Sequence, residues 1–95
     1  MDISFVILTW NSAEYISRCL DSILSTADAF SYEIYVVDNG STDATLEILA
    51  SFQKRYSDTF TTIMLPQNRG TNYPRNLASR RARGILKIVF QFNQN

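Results

Sequence analysis

Eleven residues, Glu33-Ile34-Tyr35-Val36-Val37-Asp38-Asn39-Gly40-Ser41-Thr42-Asp43, constrain the fold of this chain more than any other stretch. The apolar run reads as a buried strand that ends on a carboxylate. A glycine turn follows, then a helix start capped by Ser41 with Asp43 in its first turn. A buried strand does not tolerate an unpaired charge in its middle, so Asp38 is expected at the carboxyl end. In an open α/β sheet that end is where ligands bind. Phe5-Val6-Ile7-Leu8-Thr9-Trp10-Asn11 repeats the plan upstream, a first strand opening onto a first helix.

The rest of the chain keeps alternating. Ile3 to Thr9 reads as a strand, and Asn11 and Glu14 have capping-box spacing at the start of a helix. That helix carries Ile16, Cys19, Leu20, Ile23 and Leu24 on one stripe. Tyr32 to Val37 is a second strand. A helix from Thr42 to Tyr56 follows, burying Leu46, Leu49 and Phe52, and then a β-branched strand from Thr59 to Leu65. Pro66 to Thr71 is a loop. A third helix runs from Tyr73 to Arg83, with Pro74 tolerated in its first turn and Gly84 as its cap, and Ile85 to Phe92 is a fourth strand. Strands alternating with helices argue for an α/β fold with a mostly parallel sheet and right-handed crossovers.

Two common nucleotide-binding classes fail on the residues they most need. A dinucleotide-binding turn requires glycines after strand one, and Thr9-Trp10-Asn11-Ser12-Ala13 has none. A Gly-Lys-Ser/Thr phosphate loop is missing from the sequence as well. Net charge is zero, yet all nine acidic residues lie at or before Asp58. Arg69, Arg75, Arg80, Arg81, Arg83 and Lys87 follow with no acid among them, which suggests an anionic partner. Cations near a helix C-terminus are the plainer account of Arg80, Arg81 and Arg83. No basic patch with interleaved aromatics points to nucleic acid. Cys19, the single cysteine, reads as a small hydrophobe on the helix stripe. No signal-peptide pattern is present and no apolar run approaches the ~20 residues that span a bilayer. The chain is therefore expected to be cytoplasmic.

Leu8-Thr9-Trp10-Asn11, Val37 to Asp43, Asn68-Arg69-Gly70, Arg75-Asn76 and Ala82-Arg83-Gly84 form an ordered set spanning nearly all 95 residues. The set resembles the N-terminal half of the family 2 inverting glycosyltransferases, which have the GT-A fold. The resemblance implies a Rossmann-like open sheet of order 3-2-1-4 with helices on both faces, a partial GT-A fold. It also implies one nucleotide-sugar-binding domain over residues 1–95, cut short at its C-terminus. The implied activity is transfer of a sugar from a nucleotide-diphosphate sugar, UDP-sugar foremost, to a carbohydrate or lipid-linked acceptor, at the inner face of a membrane in many relatives. The alternative is a non-catalytic nucleotide-binding or interaction module on the same fold.

For the site, the resemblance implies that Asp38 meets the nucleobase, where a carboxylate accepts from an imide N–H. Capping of local amides in the Asp-Asn-Gly turn is the competing reading, and both can hold together. Thr9, Trp10 and Asn11 are expected at the same pocket, with Trp10 either stacking or packing. Asn39 and Asp43 read as turn and helix-start residues. Asn68 and Gly70 shape the next loop, and Arg75, with Arg69, is expected to face the diphosphate. Relatives carry an Asp-x-Asp that binds Mn²⁺ or Mg²⁺ after the fourth strand. Here those positions fall on Gln91-Phe92-Asn93, or with a slip on Asn93-Gln94-Asn95. Neutral amides bind hard cations weakly, so no metal site and no catalytic base are expected in this chain. An apolar fourth strand at the sheet edge further predicts a homodimer.

Overall fold

The computed structural model describes residues 1–27 and 29–93. Among them β1 (Ile3–Trp10), α1 (Ile16–Ala27), β2 (Tyr32–Asp38), α2 (Thr45–Arg55), β3 (Phe60–Met64), α3 (Asn72–Arg81) and β4 (Leu86–Asn93) follow in order. Every strand pairing is parallel and the sheet order is β3-β2-β1-β4. β1 and β2 lie between other strands, which is why their sequences are nearly continuous apolar runs.

The two faces of the sheet separate by residue parity. Phe5, Ile7, Ile34, Val36 and Phe60 pack with Ile16, Leu20, Ile23, Leu49 and Phe52 of α1 and α2. Each such side chain contributes about 1.5–3 kcal/mol when taken fully from water. Ile88, Phe90 and Phe92 of the edge strand β4 close that cluster half-buried, with Phe90 stacked 6.5 Å from Phe5 and 6.2 Å from Phe92. On the other face Val6, Leu8 and Val37 meet Ala78 and Ala82, small residues that let the α3 segment come close. The first two crossovers thus cover one face and the third covers the other. The switch point falls between β1 and β4.

The helix starts differ from the sequence expectation. Asn11 does not cap α1: it sits at φ 47, and its Oδ1 accepts the Thr42 amide at 2.8 Å. The Ser12 carbonyl instead accepts the amides of Tyr15 and Ile16, both at 2.9 Å. α2 begins at Thr45 rather than Thr42, and Ser41 is not its cap. Asp43 accepts the Thr45 amide and hydroxyl at 2.9 and 2.5 Å. α3 stops at Arg81, with Ala82 already extended at φ −69 and ψ 129.

Gly84 serves close approach rather than capping. A Cβ there would lie 2.4 Å from the Ser4 amide nitrogen. The Gly84 amide donates to Ser4 Oγ at 2.7 Å, and that hydroxyl donates to Glu33 Oε2 at 2.6 Å. Glu33, buried, also accepts the Arg83 amide at 2.6 Å, and the Arg83 guanidinium lies 3.6 Å from Oε1. Burial pushes the Glu33 carboxyl up, but bonds from the Ser4 hydroxyl and Arg83 amide, with the Arg83 charge and the Tyr35 hydroxyl, bring it below the ordinary glutamate value. Among the described residues no helix is long and apolar enough to cross a membrane.

Candidate functional site

The loops leaving β1 and β2 are joined by the polar residues of the second motif. Ser41 Oγ accepts the Asn11 amide at 2.9 Å and donates to Asp38 Oδ1 at 2.6 Å, while its own amide donates to Asp38 Oδ2 at 2.9 Å. Ser12 gives its amide to Thr45 Oγ1 at 3.0 Å. Its hydroxyl faces the carbonyls of Trp10 at 3.1 Å and Phe92 at 3.0 Å, tying β1 to β4. Asp43 Oδ2 accepts the Ala13 amide at 3.2 Å. Burial works against the charged form of Asp43, but bonds from the Thr45 hydroxyl and amide, the Ala13 amide and its own amide hold its carboxyl below the ordinary aspartate range.

Beside this knot, at the carboxyl ends of β1 and β4, lies a hollow of 210 Å³ whose far wall is the start of α3. Its floor and near wall are Leu8, Thr9 and Trp10, and Gln91 closes the β4 side. Asn68, Gly70, Thr71 and Pro74 form the opposite wall. Thr9 is 1 % exposed and its Oγ1 has no hydrogen-bond partner among the described residues. Thr9 has the parity of Phe5 and Ile7 and is paired with Asp38, so that hydroxyl lies on the α1–α2 face, opposite the hollow.

The hollow thus gathers Thr9, Trp10, Asn68 and Gly70 from the expected set. It does not gather Asp38, Asn11 or Arg75. Asp38 shares the parity of Ile34 and Val36, so its side chain belongs to the α1–α2 face, where it is 0 % exposed and held by Ser41. These bonds are those of the local-capping reading, and Asp38 is not among the residues lining the hollow. Asn11 is turned to Thr42, and Arg75 stands half-buried on α3 away from the lining. Arg69 is exposed at the rim, its guanidinium 4.2 Å from the Tyr73 ring centroid.

Asn39, read from sequence as a turn residue, lines the hollow. It has the parity of Val37, hence the α3 face, and this alternation is the signal that points to it. Its amide side chain holds the opposite wall: Oδ1 accepts the Arg69 amide at 2.8 Å, and Nδ2 donates to the Gly70 carbonyl at 2.9 Å and Asn68 Oδ1 at 3.2 Å. Gly40 lets that wall close in, since a Cβ on it would lie 2.6 Å from the Gln67 carbonyl carbon. Gln91 and Thr71 are further lining residues that the sequence reading left unassigned.

Around the hollow the described residues offer a divalent ion no carboxylate. Gln91 and Phe92 offer no carboxylate, and Gln94 and Asn95 lie outside the described residues. Among the described residues no three His, Cys, Asp or Glu side chains are grouped to hold a metal.

A parallel sheet of this order with a polar hollow at its switch point is the plan of a ligand-binding α/β domain. Comparison with known proteins agrees. The chain matches Glycosyl transferase family 2 over residues 4–90, and it belongs to that family. It is 40 % identical over 85 residues to the poly(ribitol-phosphate) beta-glucosyltransferase of Bacillus spizizenii, covering 88 % of this chain and 13 % of that protein. It is 41 % identical over 88 residues to the uncharacterized glycosyltransferase YfnE of Bacillus subtilis, covering 93 % of this chain and 22 % of the relative. The fold superposes on S. aureus TarS in complex with UDP-GlcNAc at a TM-score of 0.81 and 34 % identity, over 96 % of this chain and 26 % of that one. The chain therefore spans less than a quarter of the curated relatives described above.

Proposed function

We propose that this chain is the donor-nucleotide-binding part of a glycosyltransferase, with the base of a nucleotide-diphosphate sugar seated in the hollow at the β1–β4 switch point. The observation that carries the reading is the polar hollow at the carboxyl ends of β1 and β4, lined by Trp10, Asn39, Asn68 and Gln91. Asn68 and Gln91 offer side-chain amides to a base edge, Trp10 offers a flat wall, and Arg69 at the rim offers positive charge to a diphosphate. UDP is the favoured nucleotide, supported by the TarS complex with UDP-GlcNAc. A carbohydrate or lipid-linked acceptor, and work at the cytoplasmic face of a membrane, belong to the same proposal. The poly(ribitol-phosphate) in a relative's name supports a carbohydrate-like acceptor. A homodimer through the open edge of β4 is likewise proposed, and a monomer in sedimentation at tens of micromolar would remove it.

Calorimetric titration of the chain with UDP, GDP and CDP, each with and without Mn²⁺, tests the reading. UDP is expected to bind most tightly, weakly in absolute terms and unaffected by metal. No binding by any nucleotide at millimolar concentration would overturn the assignment.

A further inference from the structure

The outer edge of β3 carries a device unrelated to the hollow. β3 pairs with β2 through its odd-numbered residues: the Thr59 carbonyl accepts the Ile34 amide at 2.7 Å, and the Leu65 amide donates to the Asp38 carbonyl at 2.8 Å. By alternation the Phe60 carbonyl and the Thr62 amide point outward, where a further strand would find them, while the Phe60 amide is already bonded to the Tyr56 carbonyl at 2.9 Å. A strand edge of this kind is a template for pairing with another chain. This one is also apolar: Ala50, Gln53, Thr61, Thr62 and Met64 line a shallow groove of 420 Å³ along it, and Met64 is 65 % exposed.

Gln53, half-buried on α2, reaches across this groove. Its Nε2 donates to the Phe60 carbonyl at 2.5 Å and its Oε1 accepts the Thr62 amide at 2.8 Å. One side-chain amide thus makes both hydrogen bonds that the peptide group of an added strand would make. The two outward groups are consecutive on that edge, so filling them breaks the ladder at its centre. We infer that Gln53 is an edge cap that closes β3 against strand addition by a second copy of this chain.

The occupant excluded is another β3 edge. The groove runs along that strand, and an antiparallel copy would present the same Phe60 and Thr62 groups with the same apolar flank. Glutamine is the residue this needs. Glutamate would set a carboxylate oxygen against the Phe60 carbonyl, and an apolar side chain would leave both backbone groups free.

The test uses Gln53→Leu, which keeps bulk on α2 while removing both bonds, together with Gln53→Leu/Thr62→Pro. Proline is tolerated on an edge strand where the N–H faces outward, and it deletes the donor a partner strand needs. Amide exchange by NMR on the dilute chain should show Thr62 exchanging about tenfold faster in Gln53→Leu, with Thr61 and Ile63 unchanged. At higher concentration Gln53→Leu should associate more strongly than the parent, and the added proline should return association to the parent level. Unchanged Thr62 exchange, or association no stronger than the parent's in a variant that retains the parent circular dichroism, would overturn the inference. Should Gln53→Leu fold poorly, Gln53→Glu gives the same decision: Thr62 protection that rises as the carboxyl protonates and regains a donor for the Phe60 carbonyl supports the cap, and pH-independent protection at Thr62 refutes it.

Discussion

The Asp38 carboxylate, itself fully buried, takes both donors of the half-buried Ser41, the amide at 2.9 Å and the hydroxyl at 2.6 Å. Ser41 Oγ in turn accepts the Asn11 amide, so one buried acid fixes the exits of both central strands. Asp38→Ala leaves two donors without an acceptor and should lower stability by about 3 kcal/mol, measured by urea unfolding. Asp38→Asn retains one acceptor and should lose roughly half of that. If Asp38 acts on the loops and not on the base, UDP affinity of folded Asp38→Asn stays within about twofold of the parent. A tenfold loss in a fully folded sample would return Asp38 to the binding surface.

Thr9 should behave in the opposite sense. Thr9→Val keeps the shape and removes the buried hydroxyl that lacks a partner. Without nucleotide this should leave stability unchanged or raise it by up to about 1 kcal/mol, since a desolvated polar group is deleted. The hydroxyl faces α1 and α2, away from the hollow, so UDP affinity should stay within about twofold of the parent, read by calorimetry. A tenfold loss of affinity in a folded sample would place the hydroxyl at the nucleotide.

What was legible in the sequence follows from how strongly each feature is determined. Central strands buried on both faces cannot be written any other way, so Phe5 to Leu8 and Ile34 to Val37 announce themselves, and the connections between them leave few sheet orders. Helix starts were less legible for a specific reason. Asn11, Ser41 and Asp43 all have side chains that suit a cap, but here each bonds the neighbouring loop, and no local pattern distinguishes those uses. The adjacent pair Asp38 and Asn39 shows the finer limit. The carboxylate draws the eye, yet alternation along β2 gives the hollow to the amide and the α1–α2 face to the acid. The bonds from Asn39 to a loop about thirty residues away have no signature in sequence.

Acid should loosen the opposite end of the sheet. The folded-state pKa of Glu33 lies below its unfolded value, so the folded protein holds this proton less readily than the unfolded chain does. Its contribution is therefore present above the ordinary glutamate pKa, about 4.3, and is lost as pH falls through the lower folded value. Asp43 acts with the same sign. Urea midpoints should fall below about pH 4, and Glu33→Gln should flatten part of that slope while lowering stability at neutral pH. An unchanged slope in Glu33→Gln would assign the acid sensitivity elsewhere.

Two glycines with the same backbone twist should respond differently to alanine. Gly40 and Gly70 have φ of 83° and 76°, a region that side chains rarely adopt, so both substitutions carry a strain of about 1 kcal/mol. Only at Gly40 does the new methyl also meet backbone, with Gln67 Cα at 2.7 Å and the Asn68 nitrogen at 2.8 Å. Nothing lies within 4 Å of a methyl at Gly70. Gly40→Ala must therefore push away the loop that Asn39 holds, and that loop is a wall of the hollow. The expected result is a stability loss near 1 kcal/mol for Gly70→Ala with UDP affinity preserved, against a larger loss and at least about tenfold weaker UDP for Gly40→Ala. Equal affinities in the two variants would show that the position of residues 67–70 does not matter to the nucleotide.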